Sequence, residues 1–262
     1  MSLLVRGKYE LMNEIGKGKF GVVYRALDIQ CNKKVAIKFD NSKVGLLRHE
    51  ATVLNYLTAN KCKNTPLLYW YGLYSSNLTP CIVIPLYEYS LLQYITSTKI
   101  ETIELRTLFN KMLNILQSIH NLFILHRDIK PDNFMLNNNG NLILIDFGLS
   151  SFYVDGDEEK KSSQFTGNII YASPNVHDLK VSKAIDDIIS TSYVYLFMCC
   201  GGKLHWANLN ETTSINNLKI DRIISEKKIE NIELNLSSNV NIDKKVFTFL
   251  RKLYSGVASY NF

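Results

Sequence analysis

His126-Arg127-Asp128-Ile129-Lys130-Pro131-Asp132-Asn133, followed by Ile145-Asp146-Phe147-Gly148, decides the reading of this chain. The two phrases set two aspartates, an asparagine and a lysine within about one loop and one hairpin of each other. Moving a phosphoryl group from a nucleotide to a hydroxyl calls for these side-chain types. One carboxylate orients the attacking hydroxyl, a second carboxylate and an amide oxygen hold magnesium, and a cation sits near the transferred group. An aspartate in a loop is more often a cap or a turn former. That plainer reading leaves the lysine, the asparagine and the second aspartate unexplained.

The bulk properties suit such chemistry. With 262 residues and an apolar fraction of 46%, the chain can bury a sizeable core, as one large domain or as two lobes around a cleft. Met1-Ser2-Leu3-Leu4-Val5-Arg6-Gly7-Lys8 holds too short an apolar run for a signal peptide. The most apolar later stretch, Tyr193 to Cys200, is far below membrane-spanning length and reads as a buried helix. Cys31, Cys62, Cys81, Cys199 and Cys200 show no metal-ligand spacing, so free thiols in a reducing compartment are expected. The expectation is therefore an intracellular protein, cytoplasmic or nuclear, with no membrane association. The net charge of +6 is mild and spread along the chain. No basic run interleaved with aromatics stands out, so a solvated lysine-rich surface is expected rather than a nucleic-acid partner. A monomer is the expected state.

The N-terminal third adds a second motif. Tyr9 to Ile15 and Phe20 to Leu27 are rich in strand formers and flank Gly16-Lys17-Gly18-Lys19-Phe20-Gly21. A lone Gly-x-Gly-x-x-Gly is weak, because dinucleotide-binding folds carry it too. There the last glycine opens a helix; here it leads into Val22-Val23-Tyr24, so the stretch reads as a strand–turn–strand hairpin. Missing Cβ atoms let such a hairpin close over phosphates and offer them backbone N–H groups. In Val35-Ala36-Ile37-Lys38 the alternation puts Ala36 and Lys38 on one face of a strand. Leu46 to Leu57 has helical spacing, with Glu50 its only acidic residue.

Taken in this order, the motifs resemble those of the protein kinases, and the lysine two residues after Asp128 resembles the serine/threonine branch. The resemblance implies an α+β, bilobal protein kinase fold filling residues 1–262 as one kinase domain. The N-terminal lobe, about 1–84, would be an antiparallel sheet with one main helix, the hinge would lie at about 85–89, and the mostly helical C-terminal lobe at about 90–262. It implies ATP and Mg2+ as cofactors and protein Ser/Thr hydroxyls as substrates, with acidic substrates in view.

The same resemblance assigns roles residue by residue. Ile15, Gly16, Lys17, Gly18, Lys19, Phe20 and Gly21 would cover the phosphates, while Val23 and Ala36 would pack on the adenine. Lys38 would reach the α/β-phosphates with Glu50 as its partner. Ile84 would sit behind the adenine, the Pro85 carbonyl and the Tyr87 N–H would serve the hinge, and Met135 and Ile145 would floor and line the pocket. Asp128 would orient the substrate hydroxyl, Lys130 would neutralise charge on the phosphoryl, and Asn133 and Asp146 would hold magnesium. His126 would be structural. Leu54 would join Phe147 and His126 in a hydrophobic spine. Ser162, Ser163 and Thr166 are candidate phosphorylation sites in a polar activation segment, with Arg127 as the receiving cation.

Within the kinases, Ile129 to Phe134, Tyr171-Ala172-Ser173-Pro174-Asn175-Val176-His177 and Asp186-Asp187 with Ser190 and Tyr193 resemble the casein kinase 1 family, and Leu204-His205-Trp206 is similar to its Leu-Pro-Trp turn. Asp187 would brace the backbone of the catalytic loop. The resemblance runs from about Ile15 to Trp206. Three departures stand out: Asn168 in the family's Thr-Gly-Thr phrase, Ile170 in place of an arginine, and an end at Phe262 short of the usual helical complement. Asn168 is still expected to hydrogen-bond near Asp128. Ser214 to Asn241 is expected to hold one or two irregular helices without a functional reading. The alternatives are a pseudokinase serving as a nucleotide-binding or scaffold module, which usually lacks one of the residues present here, and a small-molecule kinase, which generally lacks the peptide-docking segment around Tyr171.

Overall fold

The computed structural model describes residues 4–18, 21–40, 45–74, 78–98, 100–153, 164–207, 217–239 and 241–262. Lys19 and Phe20 of the glycine hairpin, and Ser162 and Ser163, lie outside the described residues. The chain divides into two compact units, Met1–Glu88 with Met135–Ser150, and Tyr89–Phe134 with Ser151–Phe262.

The first unit is built on strands β1 (Leu4–Val5), β2 (Tyr9–Gly18), β3 (Gly21–Asp28) and β4 (Lys33–Asp40), helix α1 (Leu46–Ala59), and strands β5 (Trp70–Tyr74) and β6 (Thr79–Pro85). The strands form one antiparallel sheet in the order β1-β2-β3-β4-β6-β5. Alternation gives the sheet two different faces. Val5, Tyr9, Ala26, Val35, Ile37, Phe39, Cys81 and Val83 form a buried apolar cluster, closed by Tyr24 and Tyr74 packed edge-on against Phe39. The intervening residues pair as Val23 with Lys38, Lys38 with Ile82 and Ala36 with Ile84, and so share the opposite face. A one-residue slip of register would exchange the two sets, so burial of the first fixes the second. Strand pairing runs on to Gly18 opposite Gly21, further than the expected stop at Ile15.

Helix α1 buries Leu47, Glu50, Ala51, Val53, Leu54 and Leu57, and packs against the short 3-10 turn Phe147–Leu149. That turn follows the short strand Leu142–Leu144, whose position is fixed to the loop after α1. The Leu144 N–H donates to the Asn64 carbonyl at 2.9 Å, and Asn64 Nδ2 donates to the Leu142 carbonyl at 2.8 Å.

The second unit is mostly helical: α2 (Leu91–Ser97), α3 (Thr102–His120), α4 (Pro174–His177), α5 (Ala184–Cys199), α6 (Asn217–Glu226), α7 (Ile229–Leu236) and α8 (Lys245–Tyr254). Ser90 and Gln93 form a reciprocal capping box on α2. The first turn of helix α3 carries exposed Ile103 and the dipole-favoured Glu104. Every residue of α5 from Ile185 to Cys199 is buried, so this helix is the centre of the unit. Phe109 stacks on Tyr195 at 4.6 Å, which ties α3 to α5. The stretch expected to hold one or two irregular helices forms α6 and α7. The five cysteines are free thiols. Among the described residues, no helix is long and apolar enough to cross a membrane.

Candidate active site

In the first unit, the binary pattern of β4 delivers Lys38 and the second turn of α1 delivers Glu50. Lys38 Nζ lies 2.8 Å from Glu50 Oε2 and 2.6 Å from Asp146 Oδ1. Asp146 is held in the left-handed region, at φ 66°, just before the turn Phe147–Leu149. Such strain persists where surrounding contacts over-determine it and is common at functional sites. Glu50 is buried, and burial, helped by the Asp146 carboxylate, pushes its carboxyl above the ordinary value against the pull of Lys38. Burial alone would lower Lys38, yet the two carboxylates prevail and hold its ammonium above the ordinary lysine value. The site thus presents a fixed cation with a half-exposed carboxylate beside it. His49 Nε2 lies 2.9 Å from the Ser150 carbonyl and ties the same helix to the residues after Asp146.

Glu50→Gln removes one of the two charges that hold Lys38 while keeping the side-chain shape. A charge-assisted hydrogen bond is worth about 1.5–3 kcal/mol, so ATP-dependent turnover is expected to fall about 10- to 100-fold. Steady-state kinetics at saturating magnesium checks this, and unchanged turnover would show that the pair has no part in the chemistry.

The glycine hairpin separates structural glycines from spare ones. A Cβ on Gly21 would fall 1.9 Å from the Phe39 carbonyl oxygen, so the sheet itself requires that glycine. A Cβ on Gly18 would meet nothing within 4 Å, and one on Gly16 only Val23 Cβ at 3.9 Å. The fold leaves that side open, and an open backbone edge suits a phosphate chain. Ala36 and Ile84 are buried on the Lys38 face and Val23 is half-buried there; Met135, Ile145 and Tyr87 are also half-buried, while Ile15 and Lys17 are exposed. Burial raises the Tyr87 phenol well above its ordinary value.

In the second unit the loop 126–133 is organised around Asp128, which is 7% exposed. Lys130 Nζ donates to Asp128 Oδ2 at 2.6 Å, and Asn133 Nδ2 donates to the Asp128 carbonyl at 2.7 Å and to Oδ2 at 3.1 Å. The loop backbone is clamped from α5: the Arg127 N–H donates to Asp187 Oδ1 at 2.9 Å and the His126 N–H to Oδ2 at 2.8 Å. Gly167, at φ 105°, passes so close that a Cβ there would lie 2.4 Å from the Arg127 carbonyl oxygen. Asn168 shares a small cavity with Asp128, Arg127 and Thr166, but its Oδ1 accepts the Ile170 N–H at 2.9 Å. Its amide oxygen serves a local turn.

Sequence reasoning missed several contributors. Asp186 accepts the Ser173 hydroxyl at 2.5 Å and the Lys183 N–H at 2.7 Å, which seats the Ser173-Pro174-Asn175 phrase on α5. Lys227, fully buried, donates to the carbonyls of Ile169 at 2.9 Å and Ala172 at 2.8 Å, with His177 Nε2 at 3.0 Å. Burial pushes Lys227 well below the ordinary lysine value, and burial, with Lys227 beside the ring, lowers His177 to about 3, so the imidazole stays neutral. Lys227→Met leaves these acceptors without their donor. At about 1–3 kcal/mol per orphaned buried group, the variant is expected to lose about 2–5 kcal/mol of stability. Urea denaturation measures it, and a loss below about 1 kcal/mol would show that Lys227 Nζ is not the tie.

An ammonium fixed between two carboxylates on a sheet, and a loop aspartate in contact with a second ammonium, are the parts of a phosphotransferase. The family model described as protein kinase domain matches residues 9–258, and the chain belongs to the protein kinase family. The family generally uses ATP with a divalent metal and acts on proteins. Each unit offers an oxygen that suits a hard cation: in the first the Asp146 carboxylate, and in the second the Asn133 amide, whose NH2 is spent on Asp128. Among the described residues, no group of three or more His, Cys, Asp or Glu is placed to hold a metal by itself. Magnesium in nucleotide sites is typically held by one or two carboxylates plus the phosphates.

Proposed function

We propose that the chain is an active serine/threonine protein kinase of casein kinase 1-like type, transferring the γ-phosphoryl group of ATP to protein hydroxyls. The observation that carries the reading is the Asp128–Lys130 contact of 2.6 Å with Asn133 bonded to the same carboxylate. Bound magnesium ATP supplies the phosphoryl group and the charge neutralisation on it. The residues of the chain do the rest. Asp128 orients the hydroxyl and takes its proton, Lys130 offsets negative charge as the phosphoryl moves, and Lys38 holds the phosphates under the open glycine hairpin. Asn133 and Asp146 would supply oxygens to hold magnesium. Lys130 supports the serine/threonine branch, and the Ser173-Pro174-Asn175 phrase supports the casein kinase 1-like type.

The test is a labelled-ATP assay with casein, a basic protein and no added substrate, wild type beside Asp128→Asn, followed by phosphoamino-acid analysis. Label on serine or threonine from the wild type alone supports the reading, and label on casein over the basic protein supports acidic substrates. Nucleotide binding without transfer by the wild type would replace it with the binding-module reading, and label on tyrosine would overturn the serine/threonine assignment.

A further inference from the structure

The stretch that follows α8 lies against α3. Phe262 packs edge-on to Phe109 at 4.7 Å and touches Tyr195 and Phe249. This places Tyr260 at the last residue of α3, with its hydroxyl 2.8 Å from His120 Nδ1. The other nitrogen of that ring, Nε2, lies 3.0 Å from Asp187 Oδ2, the same oxygen that accepts the His126 N–H. His120 is itself held from the other side, since the Tyr153 hydroxyl donates to its carbonyl at 3.1 Å.

For a neutral ring, donor and acceptor counting fixes the hydrogens. An ionised carboxylate only accepts, so His120 Nε2 must carry the hydrogen that points at Asp187. In a neutral imidazole the other nitrogen is then an acceptor, and it needs a donor. Burial raises the Tyr260 phenol to about 12, so the hydroxyl keeps its hydrogen near neutral pH and can supply that donor. Burial would raise Asp187, but the bond from His120, the electrostatic pull of the His120 and His126 rings and the Arg127 N–H outweigh it and hold the carboxyl below its ordinary value.

We propose that Tyr260 is a positioning residue for phosphoryl transfer, donating to His120 Nδ1 and so holding the ring whose Nε2–H keeps Asp187 clamped on the backbone just before Asp128. The proposal rests on the kinase reading for its consequence but not for its geometry. Tyr260→Phe removes only the hydroxyl and keeps the ring packed. Without it Nδ1 loses its donor, the ring is no longer held against Asp187, and the clamp on the His126 and Arg127 amides loosens.

Two measurements test this on the full chain. Nitrogen-15 NMR of labelled histidine is expected to show His120 as the neutral Nε2–H tautomer with a hydrogen-bonded Nδ1 in the wild type, and the Nδ1 signal is expected to shift to that of an unbonded lone pair in Tyr260→Phe. A neutral Nδ1–H tautomer or a doubly protonated ring in the wild type overturns the proposal. In kinetics, Tyr260→Phe is expected to lower kcat about tenfold with KM for ATP unchanged, the size of one lost charge-assisted bond. In a His120→Gln background, where the amide NH2 donates to Asp187 without tautomers, the same change is expected to cost nothing. A kcat within twofold of wild type, or an equal loss in both backgrounds, overturns the relay. A wild type that transfers no phosphate overturns the kinase reading instead, and the NMR result then decides the relay by itself.

Discussion

Asp128→Asn is expected to lower phosphoryl transfer about 10²- to 10⁴-fold, the range general-base catalysis contributes, while ATP affinity and thermal stability stay close to wild type. The exchange is nearly isosteric, and the backbone carbonyl that Asn133 bonds at 2.7 Å is untouched. The amide oxygen can accept from Lys130 or from the Asn133 NH2. Only the negative charge and the proton-accepting capacity are removed. Lys130 loses an anionic partner, but its side chain is 24% exposed, so water replaces much of that contact. Turnover measured with saturating ATP and casein checks the effect, beside a melting curve and an ATP titration. A loss below tenfold with the fold intact would remove Asp128 from the proton-handling role. Loss of nucleotide affinity together with turnover would mean that the loop holds the nucleotide rather than the hydroxyl.

The parts legible in the sequence are those whose partners lie close in the chain or whose pattern is periodic. Alternation in β3 and β4 was enough to place Val23, Ala36 and Lys38 on one face, because burial of Ile37, Phe39 and Val35 leaves no other register. The loop around Asp128 was legible because Lys130 and Asn133 are its near neighbours. Glu50 required the family pattern, since one glutamate on a helix carries no sign of what it faces; its 2.8 Å contact with Lys38 is tertiary information. Lys227 and Tyr260 carried no signal at all. Their partners, Ile169 and Ala172 in one case and His120 in the other, are far away in sequence, and a lysine among Asn, Ile and Ser reads as solvated surface. Asn168 was ambiguous for a different reason. Its amide can serve the loop or its own turn, and the backbone of Gly167, pressed against the Arg127 carbonyl, turns it toward the Ile170 N–H.

Asp187→Ala is expected to cost about 3–5 kcal/mol of stability, the scale of stripping one partner from a buried charged network, and to abolish transfer in what remains folded. The carboxylate is 3% exposed and accepts three N–H groups, from His126, Arg127 and His120. Alanine leaves all three without an acceptor in a dry interior, and each orphan costs about 1–3 kcal/mol. Asp187→Asn should fall between, because one amide oxygen cannot replace two carboxylate oxygens and its NH2 faces a backbone donor. The pH dependence separates charge from shape. Because the folded-state pKa of Asp187 lies below its ordinary value of 3.8, its stabilisation is complete above that value and is lost as pH falls through the lowered pKa. Alanine has nothing to titrate, so the stability gap between wild type and Asp187→Ala should stay constant from neutral pH down to about 4 and narrow below it. Urea midpoints at neutral pH and at successive points below pH 4 measure that gap. A gap that does not narrow in acid would mean that Asp187 supports the catalytic loop by filling space, not by its charge.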